Sequence, residues 1–196
     1  MPRVPVAERR RQLVEAAFRV AARDGFRALT TRAVCAEAGA PLGAFHYCFA
    51  SKQELLVALT DQTVTALLDR ADLVELGRDV RSSLRATLRA YWASVEAEPD
   101  REPVLMALTQ FALHEPGLED VARQQYAAFH RTARTSLEMI ADACGTAWAL
   151  PVEQLARMLV MVTDGVTLAW LVDRDSAAAL AALDAFADAL ATHARP

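Results

Sequence analysis

The sequence lacks the patterns that mark most enzymes. It contains no Glu-x-x-His pair, no Gly-rich phosphate loop and no serine in a nucleophile elbow. Its four histidines fall on separate predicted helices, without cysteines or carboxylates at metal-ligand spacing: His46, His114, His130 and His193. We therefore expect no catalysis, and neither a metal nor another cofactor.

Cysteine, glycine and long apolar runs are also scarce. The 3 cysteines, Cys35, Cys48 and Cys144, are an odd number, so we expect buried free thiols and no disulfide framework. Only 7 glycines accompany a 54% hydrophobic composition, which favours a helical protein with a sizeable core. We expect no run that spans a membrane, and the basic N-terminus lacks the apolar stretch of a secretory signal. A cytoplasmic protein that does not enter a membrane is expected.

Charge is distributed unevenly along the chain. The net charge is −4, but residues 1–52 hold nine Arg and Lys against four acids, so this segment carries +5 and the remainder −9. A small basic head on an acidic body is typical of a DNA-binding protein, since phosphate contacts supply most of the non-specific affinity. A solvated basic helix surface would give the same count. Two roles are likewise open for Arg9, Arg10 and Arg11 near the N-terminus: they can contact phosphates, or they can lie in a frayed, solvated helix end.

Two short helical patterns joined by a tight turn lie between residues 30 and 52. Thr30 or Thr31 can cap the first helix, and Gly39 ends it. Pro41 suits the first turn of the second helix, which we expect to begin there or one residue later and to end at about Phe49. A gap this short forces a sharp angle between the helices, which is the arrangement of a helix-turn-helix.

The second helix of this pair has two different faces. Phe45 and Phe49 lie four residues apart and point to one side, whereas Gly43, His46 and Tyr47 share the other side. One face therefore packs and the other is presented, as a recognition helix in the DNA major groove requires.

The residues from Arg11 to about Leu59 resemble a known family as a set: Ala16-Ala17, Asp24-Gly25-Phe26, Thr30-Thr31-Arg32, Val34, Ala38-Gly39, Gly43, Phe45, Phe49, Ser51-Lys52 and Glu54-Leu55-Leu56. This set is similar to the N-terminal pattern of the TetR family of bacterial transcriptional repressors. Three positions depart from that pattern: Pro41 stands where a Ser commonly caps the recognition helix, His46 where a Tyr is common, and Cys48 where a His is common. The resemblance implies an all-α protein, with a three-helix helix-turn-helix DNA-binding domain followed by a helical bundle that binds an effector and dimerises.

The candidate DNA contacts lie at helix starts and on the presented face. Thr30, Thr31 and Lys52 stand at helix N-termini, where they can converge on phosphates, and the resemblance assigns the same role to this neighbourhood. Arg32 can read a guanine edge or contact a phosphate, and Tyr47 has the same two options. Gly43 permits close approach, Ala44 can touch a thymine methyl group, and Leu42 lies between the two faces. The full set is Thr30, Thr31, Arg32, Leu42, Gly43, Ala44, His46, Tyr47 and Lys52.

Helical periodicity continues to the end of the chain. Ser51 and Glu54 form a capping box for a helix that breaks near Gly77, and further helices are predicted at about 79–98, 102–114, 118–143, 151–173 and 176–193, with no competing strand pattern. We place the DNA-binding domain at 1–52 and an effector-binding and dimerisation domain at 53–196. The helix at 151–173 carries more apolar residues than one core-facing stripe requires, which predicts a homodimer through a four-helix bundle of the last two helices: Leu155, Met158, Leu159, Val162, Val166 and Trp170.

Large side chains with a few polar tips in the second domain permit a ligand cavity, and the resemblance implies one. The candidates, which core packing would explain equally well, are Trp92, Phe111, His114, Tyr126, His130, Met161 and Trp170. Because these side chains are mostly uncharged and residues 53–196 carry a net charge of −9, we expect an apolar or aromatic effector rather than a strongly anionic one. The resemblance implies a ligand-responsive regulator, a repressor that a small molecule releases from its double-stranded DNA operator. The alternative, which rests on the three departures, is a helical ligand-binding or protein-interaction module without sequence-specific DNA binding.

Overall fold

The computed structural model describes residues 4–71, 76–77 and 79–195, and for residues 66–71 it describes the backbone alone. In this part of the chain nine helices and one short strand pair follow in the order α1 (Val6–Asp24), α2 (Thr31–Glu37), α3 (Leu42–Cys48), α4 (Lys52–Ala71), α5 (Val80–Ala97), α6 (Arg101–His114), α7 (Glu119–Cys144), β1 (Ala147–Trp148), α8 (Val152–Asp173), α9 (Ser176–Ala191) and β2 (Ala194–Arg195). The predicted all-α fold is confirmed. The predicted break near Gly77 adjoins positions outside the described residues.

The chain packs as two compact units. The first combines the residues up to 63 with residues 100–126, and so contains α1 to α3, the start of α4, α6 and the start of α7. The second combines residues 64–99 with the residues from 127 onward, and contains α5, most of α7, α8, α9 and the strand pair. The functional boundary predicted after residue 52 stays a prediction.

In the first unit α1 provides the central packing surface. Its apolar residues recur at helical spacing and are buried: Leu13, Val14, Ala16, Ala17, Phe18, Val20 and Ala21. Gly25 follows with φ of 77°, a left-handed conformation that glycine adopts without steric cost. The chain therefore turns back sharply, and Phe26 is buried in the same core.

In the second unit three ion pairs between described residues tie α5 to α9. The guanidinium groups of Arg85 and Arg81 lie 2.7 Å and 3.5 Å from the Asp188 carboxylate, and that of Arg89 lies 2.5 Å from Asp184. The pKa of Asp184 lies below its ordinary value, chiefly because Arg89 donates hydrogen bonds to the carboxylate. These pairs join positions about a hundred residues apart, and so fix which faces of α5 and α9 meet.

The strand pair was not predicted. Ala147 and Trp148 of β1 pair antiparallel with Arg195 and Ala194 of β2, and this pairing ties the end of the described chain to the segment between α7 and α8. Two residues are too few to produce a period-2 hydrophobic pattern, which explains why sequence reasoning missed the pair.

Helix α8 is the most apolar of the described helices that are long enough to cross a membrane. By length and composition it is apolar enough to cross a bilayer, with a mean hydropathy of 1.6 over an 18-residue window of which 28% is buried, and the expectation that no run spans a membrane stays a prediction. Its exposed large apolar residues are Met161, Leu168 and Val172, at 64%, 56% and 82% exposure, all on one helix face. The residues predicted for an intersubunit face instead point inward or are half-buried, with Leu155 at 0%. Because α8 is apolar on several sides, periodicity alone does not tell its core face from its exposed face.

Candidate nucleic-acid interface and effector site

Helices α2 and α3 form the predicted pair of helices joined by a tight turn. Thr30 is the N-cap of α2, where its Oγ1 accepts a hydrogen bond from the Ala33 N–H at 3.1 Å. The turn passes through Gly39, whose φ of 59° lies in the left-handed region. Pro41 is the N-cap of α3 and forms no side-chain cap, since proline has no side-chain acceptor. Thr30, rather than Thr31, therefore caps α2, and α3 begins on backbone geometry alone.

The two faces of α3 are separated as predicted. Phe45 and Phe49 are 2% and 1% exposed, and their rings lie 5.5 Å apart. Leu42 and Tyr47 are 50% and 61% exposed, which places Leu42 on the presented side. The other presented positions are Gly43 and His46, with Ala44 half-buried. The departure at Cys48 lies on the packing side, because this thiol is buried.

Arg10 connects α1 to the end of α3. Its Nη1 donates to the Cys48 carbonyl at 2.7 Å and to the Glu54 carboxylate at 2.8 Å. Its guanidinium also lies 4.2 Å from the centre of the Phe49 ring. Glu54 accepts the Ala50 N–H at 2.8 Å as well, and this bond first and Arg10 second hold the pKa of Glu54 below its ordinary value. Arg10 thus has a structural role that neither sequence-based alternative for it included.

Helix α1 also holds α2 through a shared carboxylate. Glu37 lies 2.7 Å from Arg19 and 3.0 Å from Arg23, and these two guanidinium groups lower the pKa of Glu37, Arg19 most. By contrast, Arg27 and Arg32 are exposed and make no hydrogen bond or ion pair to any described residue. Both cations are therefore available to an anionic partner. Sequence reasoning missed Arg27, although its place three residues before the Thr30 cap was a signal.

Lys52 is directed into the first unit. Its Nζ donates to the Phe26 carbonyl at 3.2 Å and lies 5.5 Å from the centre of the Phe111 ring, which itself stacks on Phe26 at 5.6 Å. Burial lowers the pKa of Lys52 below its ordinary value. The predicted phosphate contact by Lys52 would require the ammonium to leave these partners.

The seven candidate effector residues are divided between the two units. Phe111, His114 and Tyr126 belong to the first unit, and Trp92, His130, Met161 and Trp170 to the second. The structure brings Trp92 and Trp170 together, with ring centres 5.4 Å apart in an edge-to-face arrangement.

The remaining candidates have separate environments. The His114 ring is exposed and its Nδ1 lies 2.7 Å from the Gln110 carbonyl, so a structural contact accounts for it. Burial lowers the pKa of His130, and Arg157 lowers it further, which favours a neutral imidazole at pH 7. Met161 is exposed with the apolar face of α8.

Two polar features of the second unit were not predicted. The Tyr91 hydroxyl lies 2.9 Å from that of Thr167, which is 1% exposed. A surface cleft of about 530 Å³ lies beside the strand pair and contains none of the candidate effector residues; its lining is Glu138, Ala141, Asp142, Ala147, Trp148, Leu150 and Val152. Neither feature has a short sequence pattern, since each joins residues from different elements.

Comparison with known protein families accounts for both parts of the chain. The model of bacterial regulatory proteins of the tetR family matches residues 13–59. The model of the BetI-type transcriptional repressor C-terminal region matches residues 80–194, which is more than half of the chain. The chain belongs to the TetR family.

Similar proteins support this assignment. The nicotine-responsive transcriptional repressor HdnoR of Paenarthrobacter nicotinovorans is 27% identical over 172 residues, which are 87% of this chain and 88% of that protein. A transcriptional regulator from Rhodococcus sp. Rha1 is 27% identical with a TM-score of 0.71, over 94% of this chain and 97% of that one. The multidrug binding protein EbrR, complexed with imidazole, is 26% identical with a TM-score of 0.62, over 90% and 93% of the two chains.

These matches establish the general function of this TetR-family protein. It is a ligand-responsive, DNA-binding transcriptional regulator, and the interaction-module alternative is not favoured. The family is one of transcription regulators rather than enzymes, and its members bind operator DNA and small-molecule effectors and act as dimers.

Proposed function

We propose that this protein is a cytoplasmic, homodimeric repressor that reads its operator with α3 and leaves it when an uncharged aromatic molecule binds the second unit. The observation that carries the proposal is the presented face of α3, with Leu42 and Tyr47 exposed above buried Phe45 and Phe49. The major groove offers base edges and thymine methyl groups to exposed apolar and aromatic side chains on such a helix.

The cations divide into two groups in this proposal. Arg27 and Arg32, which have no described partner, contact DNA, whereas Arg10 and Lys52, which have partners within the first unit, position the helices. Arg32, in the first turn of α2, has the donors for a bidentate contact to guanine, and Arg27 contacts a phosphate. The first turn of α2, from Thr31 onward, presents backbone N–H groups to a neighbouring phosphate, whereas the Thr30 N–H donates to the Ala28 carbonyl at 2.8 Å.

The presented face of α3 completes the site. Gly43 has no side chain, so the helix axis can approach the groove closely, while Ala44 and Leu42 are placed for apolar contact with thymine methyl groups. His46 and Tyr47 supply polar tips for base edges or phosphates.

Fluorescence anisotropy with DNA from upstream of the protein's own gene tests these roles. Arg27→Ala should weaken binding to all sequences and reduce the salt slope by about one unit, whereas Arg32→Ala should weaken the cognate site preferentially, by about 1–3 kcal/mol. Arg11→Ala is the matched control, because Arg11 is exposed and pairs with Glu8 outside the motif. If Arg27→Ala, Arg32→Ala and Tyr47→Ala all bind like wild type at fixed salt, α3 does not read DNA as proposed.

The exposed face of α8 is proposed to meet its copy in a second subunit. In a C2 dimer the same patch of both subunits forms the interface, so Met161, Leu168 and Val172 of each subunit are buried there. Leu168→Glu should therefore give folded monomers in analytical ultracentrifugation. The control is Leu168→Met, which keeps an apolar side chain and should stay dimeric. A wild-type monomer at micromolar concentration would exclude the dimer, and a wild-type chain that is extracted only by detergent would indicate a membrane segment instead.

The effector class is supported by the names of two relatives. One relative is nicotine-responsive and another was complexed with imidazole, and both molecules contain an aromatic ring nitrogen. In this chain the second unit offers the Trp92–Trp170 pair, which suits an aromatic ligand better than an anion. Release of operator DNA by aromatic molecules with a ring nitrogen, measured by anisotropy, supports this class. Release by a phosphorylated or multiply carboxylated compound, with no response to aromatic molecules that have a ring nitrogen, would contradict it.

A further inference from the structure

The three tryptophans of this protein differ in the state of their indole N–H groups. Trp148 donates to the Leu137 carbonyl at 3.1 Å, and Trp170 donates to the Ser176 hydroxyl at 3.0 Å. Trp92 is 1% exposed, yet no described residue accepts a hydrogen bond from its Nε1. Buried donors in folded proteins are nearly always paired, because an unpaired one retains its full desolvation penalty. The Trp92 N–H therefore needs an explanation that the other two do not.

The Trp170 ring meets Trp92 edge to face, with ring planes at 83°. The guanidinium of Arg174, an exposed residue, lies 4.4 Å from the centre of the Trp170 ring. The adjacent Tyr91 hydroxyl is already bonded to Thr167, so that pair leaves Trp92 as the unused donor at this contact between α5 and α8. An acceptor that reaches this N–H must share the site with two indole rings, which favours a planar, apolar molecule. Because Arg174 is exposed, a full negative charge at the buried Trp92 N–H would lack a buried cation as its partner.

We infer that Trp92 Nε1 donates a hydrogen bond to the effector, and that the effector is an uncharged aromatic molecule with a ring nitrogen or carbonyl oxygen as acceptor. This inference rests on the proposed effector site and specifies its chemistry. A site with a buried donor discriminates against a ligand of the same shape that lacks the acceptor, because binding that ligand leaves the donor unpaired. The Trp92 N–H thus selects among aromatic molecules that the apolar surface alone would accept equally.

Quinoline and naphthalene test this selection, because they share size and shape and differ by one ring nitrogen. Binding is measured by calorimetry on the full-length wild-type dimer without DNA. Quinoline should bind about tenfold tighter than naphthalene, and the indole N–H resonance of Trp92 should shift in NMR spectra when quinoline is added. Trp92→Phe should remove the preference, and Trp148→Phe is the matched control that should keep it. If Trp92→Phe does not fold, benzothienylalanine at position 92 keeps the ring shape and replaces the N–H with sulfur.

Each outcome decides the inference. Equal affinity for the two probes, no quinoline binding at millimolar concentration, or a preference that survives loss of the Trp92 N–H would overturn it. A Trp92 resonance that exchanges with bound water and does not respond to quinoline would also overturn it. Failure of the DNA-binding proposal can be told apart from failure of this inference. Operator binding is measured without ligand, and the comparison of quinoline with naphthalene is made without DNA.

Discussion

Replacement of Arg10 by methionine tests the brace between α1 and the recognition helix. Methionine keeps an apolar stem over Phe49 and removes the guanidinium. The charged hydrogen bond to the Cys48 carbonyl contributes about 1.5 kcal/mol, at the low end because Arg10 is partly exposed. The Glu54 pair, at 36% and 41% side-chain exposure, adds about 0.5 kcal/mol, and the contact with the Phe49 ring adds about 0.5 kcal/mol. We expect a loss of about 2.5 kcal/mol, or a Tm lower by about 5–10 °C.

Thermal unfolding followed by circular dichroism measures this loss, with Arg11→Met as the control. Arg11 pairs with Glu8 on the same exposed helix turn, so its replacement should leave the Tm close to the wild-type value. DNA binding separates the two roles of Arg10, since a structural brace leaves the salt slope unchanged whereas a phosphate contact lowers it by about one unit. Equal Tm shifts for the two variants, together with a lower salt slope for Arg10→Met, would refute the brace.

Three further predictions concern other parts of the protein. Thr30→Ala should destabilise the protein by about 1 kcal/mol in urea unfolding because it removes the α2 cap, whereas Thr31→Ala should change stability by less than about 0.5 kcal/mol, and equal effects would contradict the cap assignment. The pKa of Glu37 is depressed in the folded protein, so its ion pairs stabilise the protein fully above pH 4.5, the ordinary value, and this stability is lost as the pH falls through the lower folded pKa. Glu37→Gln should therefore flatten the acid side of the profile of unfolding free energy against pH. An unchanged profile would count against this. Cys144, the half-buried thiol, should react with iodoacetamide before the two buried thiols, whose pKa values are raised by burial, as mass spectrometry of the labelled peptides can show.

The helices and the helix-turn-helix could be predicted because their signals are local. A threonine cap, a glycine that adopts positive φ and a proline at the next helix start all lie within a dozen residues, and the structure uses Thr30, Gly39 and Pro41 in these places. The spacing of Phe45 and Phe49 likewise determines the packed face of α3.

The contacts that position the site could not be predicted, because they join residues far apart in sequence. Arg10 and Glu54 are 44 residues apart, and nothing near either residue identifies the other as its partner. For the same reason sequence reasoning assigned Lys52 to a phosphate, without the Phe26 carbonyl and Phe111 ring that it contacts here. The Trp92 N–H is distinguished only by the acceptors around it, and these are set by tertiary packing.

Selection of bound DNA from a random-sequence pool by the purified wild-type protein tests the central claim most directly. Two copies of α3 in a C2 dimer address two half-sites, so selection should enrich a near-palindrome with half-site centres about 34–36 Å or a multiple of that distance apart. Arg32→Ala should lose or relax one position in each half-site while keeping the spacing. Enrichment of no motif by a folded wild-type dimer, with equal affinity for random DNA, would contradict the assignment of α3 as a sequence-reading helix.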